Sequence, residues 1–220
     1  MDTNSVEKMY LSSSNSSQET IQVNERNHTI HFNAGIDART MSLLMEKLLN
    51  LEEKILKKQK DFKEKIKEFK IANVDDFEDG FELKIKPKPI MLYITSNGGH
   101  VYQVFGAIDT IKSMKIPVHT VCKGFVASAA TLLSLAGAKR YITESSYMLI
   151  HELRAGSWGK YTHLSESLDN SKQLMDHIKS FYLTHTNMTA KELKKQLKKD
   201  LSWNAQMCLE KGLVDEIIQY

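Results

Sequence analysis

The chain has 220 residues, 41% of them hydrophobic, with a formal net charge of +3 and two cysteines. That size suits one compact domain, or one domain with an appendage, and the charge is too modest to argue for nucleic acid. Two cysteines exclude a disulfide framework and a four-cysteine zinc site, so Cys122 and Cys208 are expected to pack as small hydrophobes. No apolar run reaches membrane-span length, and Met1–Ser5 lacks the basic and apolar regions of a secretory signal. A cytoplasmic location, with no membrane partner, is the expectation (host cytoplasm if the source is viral).

Residues 1–25 are polar, centred on a serine-rich run at 12–17, and read as a flexible N-terminal arm. The main domain is expected over 26–220. Thr29–Phe32 is a short strand candidate. From Thr40 to about Lys70 the apolar residues Leu44, Leu48, Leu51, Ile55, Phe62, Ile66 and Phe69 follow a near-heptad stripe, which predicts a long helix with solvated lysines and glutamates elsewhere. An acidic stretch, Asp75–Gly80, does not have EF-hand spacing and reads as a solvated turn. Ile90–Ile94 is a strand running into Thr95-Ser-Asn-Gly-Gly99, followed by a helix around Val104–Met114.

Val118–Cys122 is the next strand. Gly124-Phe-Val-Ala-Ser128-Ala-Ala follows it and opens an apolar helix reaching Ala136. Tyr147–Ile150 is another strand, followed by the glycine-containing segment Ala155–Gly159. Helices are predicted over 162–185, 190–199 and 204–211, with Gly212–Asp215 as a C-cap and final strand. Strands alternating with helices argue for an α/β fold with a mainly parallel sheet, in which sites gather at the carboxyl ends of strands.

Gly98, Gly99, Ser128 and His151 all fall at such ends. A serine at a helix N-terminus meets unpaired N–H groups and a favourable dipole, which suits a nucleophile and an oxyanion. Histidine, titrating near neutrality, is a suitable general base, and a carboxylate such as Asp200 or Asp215 is needed to orient it. Gly99 can bring a backbone N–H close to a substrate. Each residue also has an ordinary reading: Ser128 as an N-cap, His151 as a strand-end histidine, Asp200 as a loop cap and Gly98-Gly99 as a plain turn.

Taken in order, Ser-Asn-Gly-Gly, Gly-Phe-Val-Ala-Ser-Ala, Met-Leu-Ile-His and Gly-Leu-Val-Asp-Glu-Ile resemble the Clp protease proteolytic subunit over roughly residues 90–218. The resemblance implies a ClpP/crotonase-like fold of repeated β-β-α units with a parallel sheet and a long handle helix. It implies Ser128 as nucleophile, His151 as base, Asp200 as the third member, and Gly99 and Ala129 as oxyanion N–H donors. Residues 152–161 resemble the family's glycine-rich strand, which pairs with peptide and with the opposite ring. The implied partners are polypeptide substrates, further copies in stacked heptameric rings, and a hexameric AAA+ unfoldase. Cleavage needs no metal or cofactor, ATP entering only through such an ATPase.

The chain departs from the family pattern at Asn97, at Phe125-Val126 and at Glu152-Leu153, and carries a helical and acidic insertion at about 50–80. The alternatives are a non-catalytic subunit of a mixed ring and a crotonase-like acyl-CoA enzyme, the latter using oxyanion donors without a serine nucleophile. A membrane-bound Ser-Lys peptidase fits less well, because no anchor is visible.

Overall fold

A computed structural model of the chain describes residues 20–72 and 87–219. Its strands are β1 (Thr20–Asn24), β2 (Thr29–Asn33), β3 (Ile90–Ser96), β4 (Val118–Ala127), β5 (Lys139–Thr143), β6 (Tyr147–Leu149), β7 (Ser202–Asn204) and β8 (Glu216–Ile218). The helices are α1 (Ala38–Ala72), α2 (Val101–Ser113), α3 (Ala129–Ser134), α4 (Tyr161–His185), α5 (Ala190–Leu197) and α6 (Ala205–Glu210). The strands form one sheet in the order β1-β2-β3-β4-β5-β8, with β6 on β4 and β7 on β6. Pairing is parallel from β2 through β8, and antiparallel at β1–β2 and β6–β7.

The mainly parallel α/β expectation therefore holds, with two differences. The polar segment read as a flexible arm through residue 25 ends in a strand, since Thr20–Asn24 pairs with β2 along its whole length. Within that segment Thr-Ile-Gln-Val-Asn alternates β-branched with polar residues, and Ile21 and Val23 pack against the core opposite Phe32 and Ile30. The final strand begins after Gly212–Asp215, at Glu216. The acidic stretch Asp75–Gly80 lies outside the described residues.

Burial in β3 alternates strictly, with Ile90, Leu92, Ile94 and Ser96 inward and Met91, Tyr93 and Thr95 half-exposed. One face of this parallel sheet is thus packed by helices and the other is not, unlike the doubly covered sheets of most α/β folds. The packed face receives Met41, Leu44, Leu48, Leu51 and Ile55 of α1 and Val104, Ala107, Ile108 and Ile111 of α2. Asp37 caps α1, its carboxylate accepting from the Thr40 N–H at 2.7 Å while Thr40 Oγ1 accepts from the Asp37 N–H at 3.0 Å. No side chain described on α1 beyond Ile55 is buried, so the helix continues about 25 Å past the core.

Local hydrogen bonds hold the turn after β3 and the start of α5. At the end of β3, Ile36 donates to Gly98 O and accepts from the His100 N–H, both at 2.8 Å, clamping the glycine pair from the side. A Cβ on Gly99, whose φ is +148, would lie 2.1 Å from Ile36 O. At α5, Thr189 and Glu192 form a capping box, and Lys211 contacts Glu192 at 2.9 Å. The Thr189 N–H and the Lys211 ammonium pull the Glu192 carboxyl from 4.5 down to about 2.

Gly99→Ala should lower stability by more than about 2 kcal/mol, read as a fall in urea midpoint, because neither the φ nor the backbone contact can relax. Glu192→Gln tests the capping box. A depressed carboxyl stabilises the fold above its unfolded pKa, and that contribution is lost as pH falls from about 4.5 to about 2. The stability gap between wild type and Glu192→Gln should therefore be widest near neutrality and close on acidification.

Candidate active site

Three strand ends converge at one edge of the sheet. The parallel register sets Ser96 of β3 against Val126 of β4, and Ala127 of β4 against Leu149 of β6. Gly98 and Gly99 come after the first strand, Ser128 after the second and His151 after the third. Parallel neighbours lie roughly 4.8 Å apart, so the three turns stand side by side.

Ser128 adopts φ 56, ψ −129, one of only two non-glycine residues with positive φ among those described. Such a backbone costs on the order of 1–3 kcal/mol and persists where its surroundings over-determine it. Here the Ser128 N–H donates to Leu149 O at 2.8 Å, and Ser128 O accepts from the Thr131 N–H at 3.0 Å and from Thr131 Oγ1 at 2.7 Å. Because the Thr131 proton is committed to Ser128 O, the oxygen of Thr131 accepts from Tyr182 OH, 2.5 Å away. That phenol is fully buried, and burial pushes its pKa up, keeping it protonated as a donor. The side chain of Ser128 makes no capping bond, so the N-cap reading fails at its central requirement and the hydroxyl is left to the cavity.

The cavity, about 220 Å³, is lined by Asn97, Gly99, Ser128, Ala129, His151 and Arg154, with Val101, Leu132 and Ile178 on its apolar wall. Among the described residues, the N–H groups of Gly99 and Ala129 meet no protein acceptor. A Cβ on Gly98 would come within 2.7 Å of Ser128 Cβ, so glycine is what allows the two turns to touch. A larger depression of about 730 Å³ near Tyr147, Asn204 and Glu216 lacks a nucleophile–base pair. Among the described residues, no group of three His, Cys, Asp or Glu side chains is placed to hold a metal ion.

Ser128 and His151 line one cavity, and Asp200 is not among its lining residues. His151 Nδ1 lies 2.6 Å from Glu152 O; a carbonyl only accepts, so Nδ1 carries a proton, which in the neutral ring leaves the lone pair on Nε2. Asp200 is bound to Arg154 at 2.8 Å. Among the described residues, no hydrogen bond links His151 to Ser128 or to Asp200. Asp200 and His151 each lie two residues beyond the last pair of the β6–β7 ladder. β7 pairs antiparallel with β6 through Leu149↔Ser202, where the ladder ends; continued by two steps, that register would set His151 opposite Asp200. The other carboxylate considered from sequence, Asp215, is paired with Arg140, whose guanidinium also donates to His185 O and Gly212 O. It holds the β5–β8 junction, away from the cavity.

Sequence reasoning missed Thr131, Tyr182 and Arg154. Nothing in one sequence marks Tyr182 as the partner of a residue 51 positions earlier. Residues 152–160, likened from sequence to a glycine-rich strand, form no strand. Glu152 N–H bonds instead to Leu197 O at 2.9 Å, and Leu153 N–H approaches Met175 Sδ at 3.3 Å. Tyr182→Phe removes the donor that Thr131 accepts and should cost about 1 kcal/mol of stability, measured by urea unfolding.

A family model described as Clp protease matches residues 81–220. The ATP-dependent Clp protease proteolytic subunit of Deinococcus radiodurans is 30% identical over 131 residues, a stretch covering 59% of this chain and 64% of that protein. The protein of the same name from Dehalococcoides mccartyi strain BAV1 is 31% identical over 134 residues, covering 60% and 67%. The chain therefore matches about two thirds of the length of these relatives, and the family match takes in the glycine pair, the strained serine, the strand-end histidine and the long α4 helix. With a family model spanning well over half of its residues, the chain belongs to the Clp protease family.

Proposed function

We propose that the chain is a serine endopeptidase that cleaves unfolded polypeptides inside an oligomeric chamber. The observation that carries this reading is the Ser128 turn. A non-glycine residue is held at positive φ, at a helix N-terminus, with its hydroxyl uncapped and in one cavity with an imidazole and with two amides that lack a protein acceptor.

In this mechanism Ser128 Oγ attacks the peptide carbonyl while His151 Nε2 takes its proton. The charge that develops on the carbonyl oxygen is met by the N–H groups of Gly99 and Ala129. His151 then gives the proton to the departing amine, leaving an acyl-enzyme, and the same imidazole activates the water that hydrolyses it. In this reading Asp200 is the carboxylate that orients the ring and offsets its positive charge in the transition state, a role supported by its position two residues before the β7 partner of Leu149. The apolar wall of Val101, Leu132 and Ile178 suits an apolar side chain next to the scissile bond. Peptide would lie along residues 152–160 as an added strand, giving that segment the pairing partner it lacks in a single chain.

No metal or cofactor enters these steps, and ATP would be spent by a partner unfoldase. Further copies in stacked heptameric rings and a cytoplasmic location belong to the same reading. No helix among the described residues is long and apolar enough to cross a membrane.

A fluorophosphonate probe should label Ser128 in the full-length protein, and Ser128→Ala should abolish both labelling and peptide turnover. His151→Ala should lower turnover by on the order of 10⁴-fold or more. Labelling that persists in Ser128→Ala would remove the assignment. A protein that assembles into rings but is never labelled would instead be a non-catalytic ring subunit.

A further inference from the structure

We infer that Arg154 is a positioning residue that holds the site in a resting arrangement by withholding Asp200 from His151. The inference rests on the serine-peptidase reading and adds a regulatory element to it.

Two contacts, both made by the three residues after His151, occupy the groups that a Ser-His-Asp relay needs. The Glu152 carbonyl takes the Nδ1 proton of His151 at 2.6 Å, and the Arg154 guanidinium takes the Asp200 carboxylate at 2.8 Å. Glu152 O fixes the tautomer correctly, but as a neutral acceptor it supports the imidazolium less than a carboxylate does. The ring is therefore poised as a base yet lacks its charged partner. Asp200 stands two residues before Ser202, the β7 partner of Leu149, as His151 stands two residues after Leu149, so two further steps of that ladder would face them, while the Asp200 side chain is turned to Arg154.

Both contacts belong to one short segment. Residues 152–154 are tied to the end of α5 through Glu152 N–H and Leu197 O, and to α4 through Leu153 N–H and Met175. If that segment shifts to lie against an extended peptide, it draws the carbonyl off His151 and the guanidinium off Asp200 in a single movement. Peptide engagement and assembly of the relay are then one event. The Arg154–Asp200 pair is 74% and 60% exposed, so it is weak and salt-sensitive, as a releasable contact must be.

The test measures the rate of Ser128 labelling by a fluorophosphonate in the full-length wild type, in Arg154→Gln and in Arg154→Lys, at low and at high salt. Arg154→Gln should label about two- to five-fold faster than wild type at low salt, the range an exposed ion pair supports. Arg154→Lys should keep the wild-type rate. Salt should accelerate wild type toward the Arg154→Gln rate and leave Arg154→Gln unchanged. Adding Asp200→Asn should erase the gain, since Arg154 acts only through that carboxylate. Equal or slower labelling of Ser128 in Arg154→Gln, or a gain that survives Asp200→Asn, would overturn the role of Arg154 while leaving Ser128 as the nucleophile. Absence of Ser128 labelling in every variant would overturn the peptidase reading, and this inference with it.

Discussion

Parallel pairing of β4 with a strand on either side is the constraint on which the rest of the structure depends. The β3–β4 register sets the Gly98-Gly99 turn beside Ser128, and the β4–β6 register brings the start of the His151 segment to the other side of the same serine. Because all three strands run in one direction, their carboxyl ends open onto one cavity. The same ladder supplies the Leu149 carbonyl that holds the Ser128 N–H. Hydrogen bonds that build the sheet thus also hold the strained residue at its edge.

Stabilisation around Ser128 comes from three separate parts of the chain. Leu149 holds its amide, Thr131 holds its carbonyl from within α3, and Tyr182 supports Thr131 from α4. The glycines contribute by what they lack, since a Cβ at Gly98 would strike Ser128 and one at Gly99 would strike Ile36. The turn is therefore well determined. The acid–base partners are less so: the contacts of His151 and Asp200 run to the exposed segment 152–154. On the proposed serine-peptidase reading, this is an arrangement in which binding, rather than folding, completes the site.

The long α1 helix shows how packing and propensity divide one element. Its first half carries five buried side chains onto the sheet, and its second half continues the same spacing into solvent with Phe62 exposed. Its length is set by the run of lysine, glutamate and leucine, which are strong helix formers, while its burial is set by where the sheet ends.

Much of this was legible in the residues themselves. Apolar runs marked β3, β4 and β6, periodicity marked α1, and four short motifs in order marked the family and singled out Gly99, Ser128 and His151. These are local signals, carried by neighbouring residues along the chain. What only tertiary structure decided were relations between distant segments. The three-residue strand β7 is too short to register as a pattern, yet its pairing with β6 sets the course of the chain just after Asp200, while Asp215 is taken up by Arg140. Strand β1, with only Ile21 and Val23 as apolar residues beside the serine-rich run, gained its pairing from the edge that β2 offered. The partner that Asp200 takes was decided by which cation the fold brought within reach, and that cation, Arg154, lies 46 residues away in sequence.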